Sequence, residues 1–335
     1  MAIFEKFTDT IFLKEDSELR RKVDELNKIK DRIASEDKAR FDQDLKFSQY
    51  GLIGEDRIAY ELKNADVGCY VLRDINLEYN GEFAQVDYVI VTRCNCYFVE
   101  CKNMIGTVTI NKEGEFRREY TWRNKNFKES IYSPYRQAIR HIEILKKKWK
   151  EKSNKLVRYF CEKTFDDYYR PLIIMANPRG MLNVRYAPKE IKDVTIRVDQ
   201  LVERLKHDLM IYDKKKDAID KVLDIRFESQ KEVEHFARGI LNHHKKRFIN
   251  YSKQYKLMDS NSDKDLELKT KLIAFRSEMS RKNKVPAYCV FKNDELEEII
   301  KEKPKTIAEL SKVLQPVKVK VYGKEIVDII CEFYK

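Results

Sequence analysis

Three charged side chains interrupt apolar runs in this 335-residue chain: Asp87 in QVDYVIV, and Glu100 and Lys102 in YFVECKN. A buried charge costs several kcal/mol unless it is paired or binds a metal. Phe83–Val91 and Tyr97–Lys102 read as two strands of an antiparallel hairpin, turning within Thr92–Cys96. One register sets Asp87 opposite Glu100, and a register two residues along sets it opposite Lys102. Glu100 and Lys102 share a face by period-two alternation. In either register two carboxylates and an amine gather on one face. Two carboxylates at that range repel and raise one pKa, unless a divalent cation sits between them. Oxygen donors favour Mg²⁺ or Mn²⁺ over zinc. A lysine beside such an ion can orient a water and stabilise developing phosphorane charge. The plainer alternative is a salt-bridge cluster on a solvated sheet edge, which the apolar context disfavours.

Several elements must position this cluster. Tyr50–Asn64 reads as a helix that places Glu55 on the same stripe as Ile58, Ala59 and Leu62. Gly51 and Gly54 weaken that helix, so they are expected to permit a close backbone approach. Alternatively, Glu55 simply lies at a helix N-terminus, where an acid is favourable. Val71–Leu77 reads as a first strand, Gly106–Ile110 and Glu115–Tyr120 as further strands, Pro171–Ala176 as a central strand and Val194–Val198 as a fainter one. Ser133 and Pro134 open a helix carrying Gln137, Ala138, Ile142, Leu145 and Trp149, with His141 expected on its surface. Helices around such strands give a mixed α/β layer.

The flanks read as helical. In 1–47, Leu19, Leu26 and Ile33 recur every seven residues with Val23 between, a narrow stripe with Asp16 or Ser17 as its cap. Packing within the chain is the simpler expectation for this stripe, and self-association the sharper one. Lys214 to about Lys256 reads as long helices, with His243 and His244 on different faces, and 258–265 as a polar linker. Beyond it, Leu268, Leu272, Phe275 and Met279 form one stripe. VPAY breaks that helix, Asn293 or Asp294 starts another, Thr306 with Glu309 forms a capping box, and Tyr322-Gly323 precedes the last helix. The expected organisation is a helical arm (1–47), a mixed α/β domain (48–212), a helical extension and linker (213–262), and an all-α bundle (263–335).

Composition bounds the function. A net charge of +12 with 37% charged residues suits a polyanionic partner. Seven cysteines without a CxxC pair argue against a disulfide framework and for a reducing, cytosolic setting. No apolar run is long enough to span a bilayer, so no membrane is expected, and MAIFEKF lacks a signal-peptide core. No GxxxxGK[ST] string is present, so no helicase motor is expected.

Four ordered blocks, GLIGE at 51–55, QVDYVIV at 85–91, FVECKNMIG at 98–106 and SPYRQ at 133–137, resemble the nuclease-related domain (NERD) of the PD-(D/E)xK superfamily. FLKEDS also resembles the start of bacterial proteins of this type. FRSEMSRKNKVPAYCVF, LEEIIKEKPKTIAELSKV and VYGKEIVDII resemble an HRDC domain. The resemblance implies a restriction-endonuclease-like mixed sheet flanked by helices. It implies that Asp87 and Glu100 hold Mg²⁺ or Mn²⁺, with the Cys101 carbonyl as a further ligand and Glu55 reaching the metal through water. Lys102 would orient the attacking water, and Gln137 would support the site. The implied activity is metal-dependent cleavage of nucleic acid, DNA before RNA, in repair or in defence against foreign DNA. Lys282, Lys284, Lys318 and Lys320 are candidate phosphate contacts in the HRDC-like unit, solvation being their simpler role. The competing readings are a non-catalytic nucleic-acid-binding scaffold and a protein-interaction adaptor. A protein partner, or a second copy of the chain, would dock through the HRDC-like unit or the N-terminal helix.

Overall fold

The computed structural model of the chain describes residues 7–152, 165, 168–215, 227, 229–257 and 260–334. Residues 216–226 of the expected helical extension, and Met258 and Asp259 of the expected linker, lie outside the described residues. The chain divides into two compact units, Met1–Lys28 with Asp42–Ser252, and Ile29–Phe41 with Lys253–Lys335.

The first unit is built on a six-stranded mixed sheet. In sheet order its strands are β1 (Thr10–Lys14), β2 (Cys69–Tyr79), β3 (Glu82–Thr92), β4 (Cys96–Lys102), β8 (Tyr169–Met175) and β10 (Thr195–Arg197). A second, four-stranded sheet orders β7 (Lys125–Ile131), β6 (Phe116–Trp122), β5 (Thr107–Ile110) and β9 (Met181–Asn183). β2, β3 and β4 form an antiparallel meander, while β8 runs parallel to β4 and β10 parallel to β8. Helices cover both faces, as a largely buried sheet requires. On one face α3 (Pro134–Lys152) and α6 (Gln230–Leu241) bury Ile142, Leu145, Val233 and Ala237 against Leu72, Val89 and Phe98. On the other, α2 (Ser35–Lys63) and α5 (Leu201–Lys215) bury Ile58, Leu62, Leu201 and Leu205 against Val71, Tyr88, Ile90 and Val99. A short α4 (Lys189–Lys192) precedes β10.

The N-terminal segment differs from a purely helical arm. Residues 10–14 add β1 to the sheet edge, parallel to β2, before α1 (Glu18–Ile29) begins. Val23 and Leu26 of the heptad stripe are buried. Ser17 stands at the N-cap of α1, its carbonyl accepting from the Arg21 amide at 3.2 Å, while its hydroxyl donates to Glu55. Asp74 Oδ2 accepts from the Glu18 amide at 2.7 Å, which places a carboxylate at the positive end of the helix. His243 and His244 follow α6 on irregular backbone, not on a helix; the His244 Nδ1 accepts from the Asn76 amide, and the Lys245 amide donates to the Asn76 carbonyl.

The second unit contains α7 (Ser260–Asn283), α8 (Ala287–Val290), α9 (Asn293–Glu302), α10 (Ile307–Leu310) and α11 (Pro316–Phe333). Its core holds Leu268, Leu272, Phe275, Leu296, Leu310, Ile326 and Ile330. The polar run 260–265 is the start of α7 rather than a linker. Tyr322 and Gly323 lie inside α11, not before it: the Gly323 position faces Val319, Ile307 and Leu310 closely, so close helix packing explains this glycine better than a break does. The Thr306 hydroxyl caps α10 through the Glu309 amide at 3.2 Å, and the Glu309 carboxylate reaches back to the Lys305 amide.

Candidate active site

The cluster assembles where β2, β3 and β4 lose regular pairing. β3 pairs with β4 in the register that sets Asp87 opposite Glu100, and the ladder's last pair is Tyr88 with Val99. Beyond it the Asp87 carboxylate takes over: Oδ2 accepts from the Cys101 amide at 2.7 Å. On the other side, Asp74 of β2 stands opposite Asp87 and is missing from the ladder between Arg73–Tyr88 and Ile75–Val86. Asp74 has φ 53, left-handed backbone that aspartate tolerates better than most residues. The break resets the alternation. Leu72 and Val89 on one side of it and Ile75 and Val86 on the other all face the same core. An irregularity of this kind re-aims side chains and ends pairing. Gln85 Nε2 holds Asp74 Oδ1 at 2.9 Å.

Glu100 is buried, and its Oε1 accepts from Lys102 Nζ at 2.5 Å. Lys102 also reaches Gln137 Oε1 at 3.3 Å, in the first turn of α3. Glu100 Oε2 is buried with no hydrogen-bond partner, and so is His141 Nδ1. Burial and the Glu100 charge push the Asp87 carboxyl up to about 8, against the pull of the Cys101 amide and Lys102. Burial raises Glu100 too, with Lys102 opposing. Burial pulls Lys102 down, but the Glu100 carboxylate more than offsets it, so its ammonium form is reinforced. His141, expected on the surface, is buried, because it faces into the α3–sheet layer. Burial and the Lys102 charge lower it to about 4, so it is a neutral imidazole near neutrality.

Glu55 occupies a neighbouring network. Its Oε2 accepts from Arg73 Nε and Nη2 at 3.1 and 2.9 Å and from the Ser17 hydroxyl at 3.0 Å. The Tyr88 hydroxyl donates to its carbonyl at 2.8 Å. Burial and Asp87 push the Glu55 carboxyl up to about 7 while Arg73 and Ser17 lower it. With a guanidinium in direct contact, the carboxylate is the form this network holds. Electrostatic contact links Glu55 to Asp87 and Glu100, but its hydrogen bonds go elsewhere. α2 comes this close because of Gly54: a Cβ there would lie 2.7 Å from Asn103 Cβ and 3.1 Å from Cys101 Sγ. Asn103, just past Lys102, fixes the crossing through Arg57 Nη1 at 3.0 Å and the Tyr50 carbonyl at 2.6 Å.

Asp87, Glu100, Lys102 and Gln137 are therefore brought together, and Glu55 is adjacent but already engaged. Ser17, Arg73, Asp74 and His141 were not legible as site residues. Arg73 and Asp74 did carry a signal, an adjacent charged pair inside the apolar run YVLRDINL. In the second unit Lys282, Lys284 and Lys320 are exposed, whereas Lys318 is half-buried in an ion pair with Glu295 at 2.6 Å.

Whether a cation fits turns on Glu100 Oε2. An acceptor buried without a donor costs about 1–3 kcal/mol. A hard cation would satisfy it with oxygen donors of the preferred kind, Glu100 and Asp87. Among the described residues no group of three or more His, Cys, Asp and Glu side chains could hold a metal ion. The donors on offer to such an ion would be the two carboxylates, with main chain or water completing the set. The six described cysteines are free, and among the described residues no helix is long and apolar enough to cross a membrane.

Comparison with protein families matches residues 50–175 to the nuclease-related domain, NERD, and residues 265–330 to the HRDC domain. Comparisons with curated proteins and with solved structures return no match. Every side chain of the cluster, from Glu55 to Gln137, lies inside the first matched segment. The chain thus carries a nuclease-related domain on its mixed sheet and an HRDC domain, a type suited to nucleic-acid binding, in its C-terminal helices.

Proposed function

We propose that the chain is a metal-dependent phosphodiesterase acting on nucleic acid, DNA in the first instance. The observation that carries this reading is the buried, unpartnered Glu100 Oε2, on a carboxylate whose other oxygen holds Lys102 and whose charge acts on Asp87. Asp87 and Glu100 would hold Mg²⁺ or Mn²⁺, with Glu55 near enough to act through water. Such an ion supplies Lewis-acid polarisation of the phosphate and a more acidic bound water. The chain's own groups do the rest. The Cys101 amide fixes Asp87. Gln137 and Glu100 hold the Lys102 ammonium, which stabilises negative charge developing on the phosphoryl oxygens. His141 stays neutral and adds no competing positive charge. The HRDC domain would tether the polymer through exposed lysines such as Lys282, Lys284 and Lys320, with affinity that falls steeply as salt rises.

The Arg73 clamp on Glu55 favours one second reading, a non-catalytic nucleic-acid-binding scaffold, because it leaves two carboxylates rather than three for an ion. Plasmid and single-stranded DNA incubated with the purified chain and Mg²⁺ or Mn²⁺ distinguish the two. Cleavage by the parent, lost in Asp87→Ala and Lys102→Ala, supports the nuclease. Binding without cleavage supports the scaffold. Cleavage that survives both substitutions means the site lies elsewhere.

A further inference from the structure

The geometry points to the β6–β7 hairpin as a stacking platform for the unpaired bases of a single-stranded polynucleotide beside the Asp87/Glu100/Lys102 cluster. This inference rests on the nuclease reading above and names its substrate class. The hairpin turns at Arg123 and Asn124, both left-handed with φ 49 and 60, the primed turn that matches strand twist. On one face Phe116 and Ile131 enter a core with Val108 and Met175. The same face continues past that core as Tyr120 opposite Phe127 and Trp122 opposite Lys125. Trp122 is 47% exposed and Phe127 40%, so these rings contribute little to the core they extend from.

The rings are already arranged as a stack. Tyr120 and Phe127 lie 5.2 Å apart at 16°. The Arg118 guanidinium sits 4.1 Å over Tyr120, and Lys46 Nζ 5.0 Å over Trp122. On this face Arg118 is paired with Glu129 at 3.0 Å and Lys125 stands opposite Trp122, with Arg123 at the turn and Lys46 over Trp122, while Arg117, Glu119 and Lys128 lie on the other face. Exposed aromatics interleaved with cations bind single strands, because every base has a π-face and every nucleotide an anion. A duplex hides its π-faces in its own stack, so the face selects unpaired bases.

Chain continuity ties the platform to the site. Gly106, at φ 87, lies under the hairpin: a Cβ there would fall 2.2 Å from the Glu119 carbonyl oxygen and 2.6 Å from Tyr120 Cβ. Arg118 Nε donates to the Ile105 carbonyl at 2.8 Å. Gly106 is four residues after Lys102, at most about 14 Å along the chain. A strand stacked on the hairpin therefore has its phosphates within a few nucleotides of the cluster.

The test uses the full chain, a labelled oligothymidylate and a chelator, so that binding is read without cleavage. Fluorescence anisotropy gives affinity and tryptophan emission reports contact at the hairpin. The single strand should bind more tightly than a duplex of equal length and quench the emission. Trp122→Ala and Phe127→Ala should each weaken binding by about 5-fold or more. Trp122→Phe should keep the affinity and lose most of the quench. An unquenched parent, or alanine variants that bind like the parent, overturns the platform and leaves this face to a protein partner. Glu100→Gln separates the two ideas: quenching that persists while cleavage disappears keeps both. If the parent binds and quenches but never cleaves, the platform stands and the nuclease fails.

Discussion

Replacing Asp87 by asparagine separates an ion site from a structural salt bridge without any substrate. Asparagine keeps an oxygen for the Cys101 amide and removes the charge that crowds Glu100. In the parent this carboxyl is pushed from 3.8 up to about 8. The folded chain therefore holds its proton more tightly than the unfolded chain does. Stability from this group is complete below about pH 4, declines as pH rises, and is lost above about pH 8. At about 1.36 kcal/mol per pKa unit the ceiling is about 5–6 kcal/mol. Asp87 keeps some contact with solvent, which reduces the expected loss to about 2 kcal/mol. In chelator, Asp87→Asn should match the parent near pH 4 and exceed it at about pH 8.5 by roughly 4–8 °C in Tm. Scanning calorimetry of both proteins at both pH values measures this; taking the difference cancels His141 and keeps only the part of the Glu55 shift that Asp87 causes. Adding Mg²⁺ or Mn²⁺ at about ten times its Kd should stabilise the parent by about 1.4 kcal/mol and leave the variant unmoved. If Asp87→Asn is less stable than the parent at both pH values, and the cation acts on both alike, Asp87 is a structural partner and the ion site is refuted.

Lys102→Ala should lower cleavage by about 10²–10³-fold while leaving oligonucleotide affinity in chelator within about twofold, read by single-turnover rates beside anisotropy. Gly54→Ala gains helix propensity but drives a Cβ to 2.7 Å from Asn103, so a net loss of about 1–2 kcal/mol is expected in urea unfolding. Lys318→Ala should destabilise the HRDC domain by about 1–2 kcal/mol with an unchanged salt slope of nucleic-acid binding, because its ion pair with Glu295 is largely shielded. Lys320→Ala should leave stability alone and reduce that slope by about 1 if the lysine touches phosphate.

The legible parts were those in which one local signal governed. The apolar runs around Asp87 and Glu100, the Ser133-Pro134 helix start and the Leu268–Phe275 stripe each became the expected element, because burial and periodicity agree there. β7 was missed because KNFKESI is exposed almost throughout and presents no alternation of burial. His141 was misplaced for a related reason: on a helix laid flat over a sheet the buried arc is wide, and it takes in a polar residue one turn from Gln137. At Asp87 period two gives the register opposite Glu100 but not the break beside it. The alternation holds through Tyr88 and then resets at the left-handed Asp74 on the neighbouring strand, which no pattern within β3 announces.

That break goes with the bond from the Cys101 amide to the Asp87 carboxylate and with the release of Asp74 from the ladder. Regular alternation sets Asp87 on the face of Val89 and Phe98, the face that Glu100 and Lys102 share. Interrupting the β2–β3 ladder lets the carboxylate turn onto the Cys101 amide, and Asp74, freed from pairing, caps α1 and accepts from Gln85. Arg73, next along, clamps Glu55 and Asp56 of α2 at 2.9 and 2.8 Å. The Arg73–Glu55 pair is weak as a source of stability, because desolvating both groups offsets most of the attraction. Its value is positional. It fixes the rotation of α2 against β2 while Gly54 sets the helix's distance from β4, and together they decide how near Glu55 stands to Asp87. The irregular backbone, the buried ion pair and the intrahelical glycine are each unfavourable locally, and together they set Asp87, Glu55 and Cys101 against one another at the ends of β3 and β4.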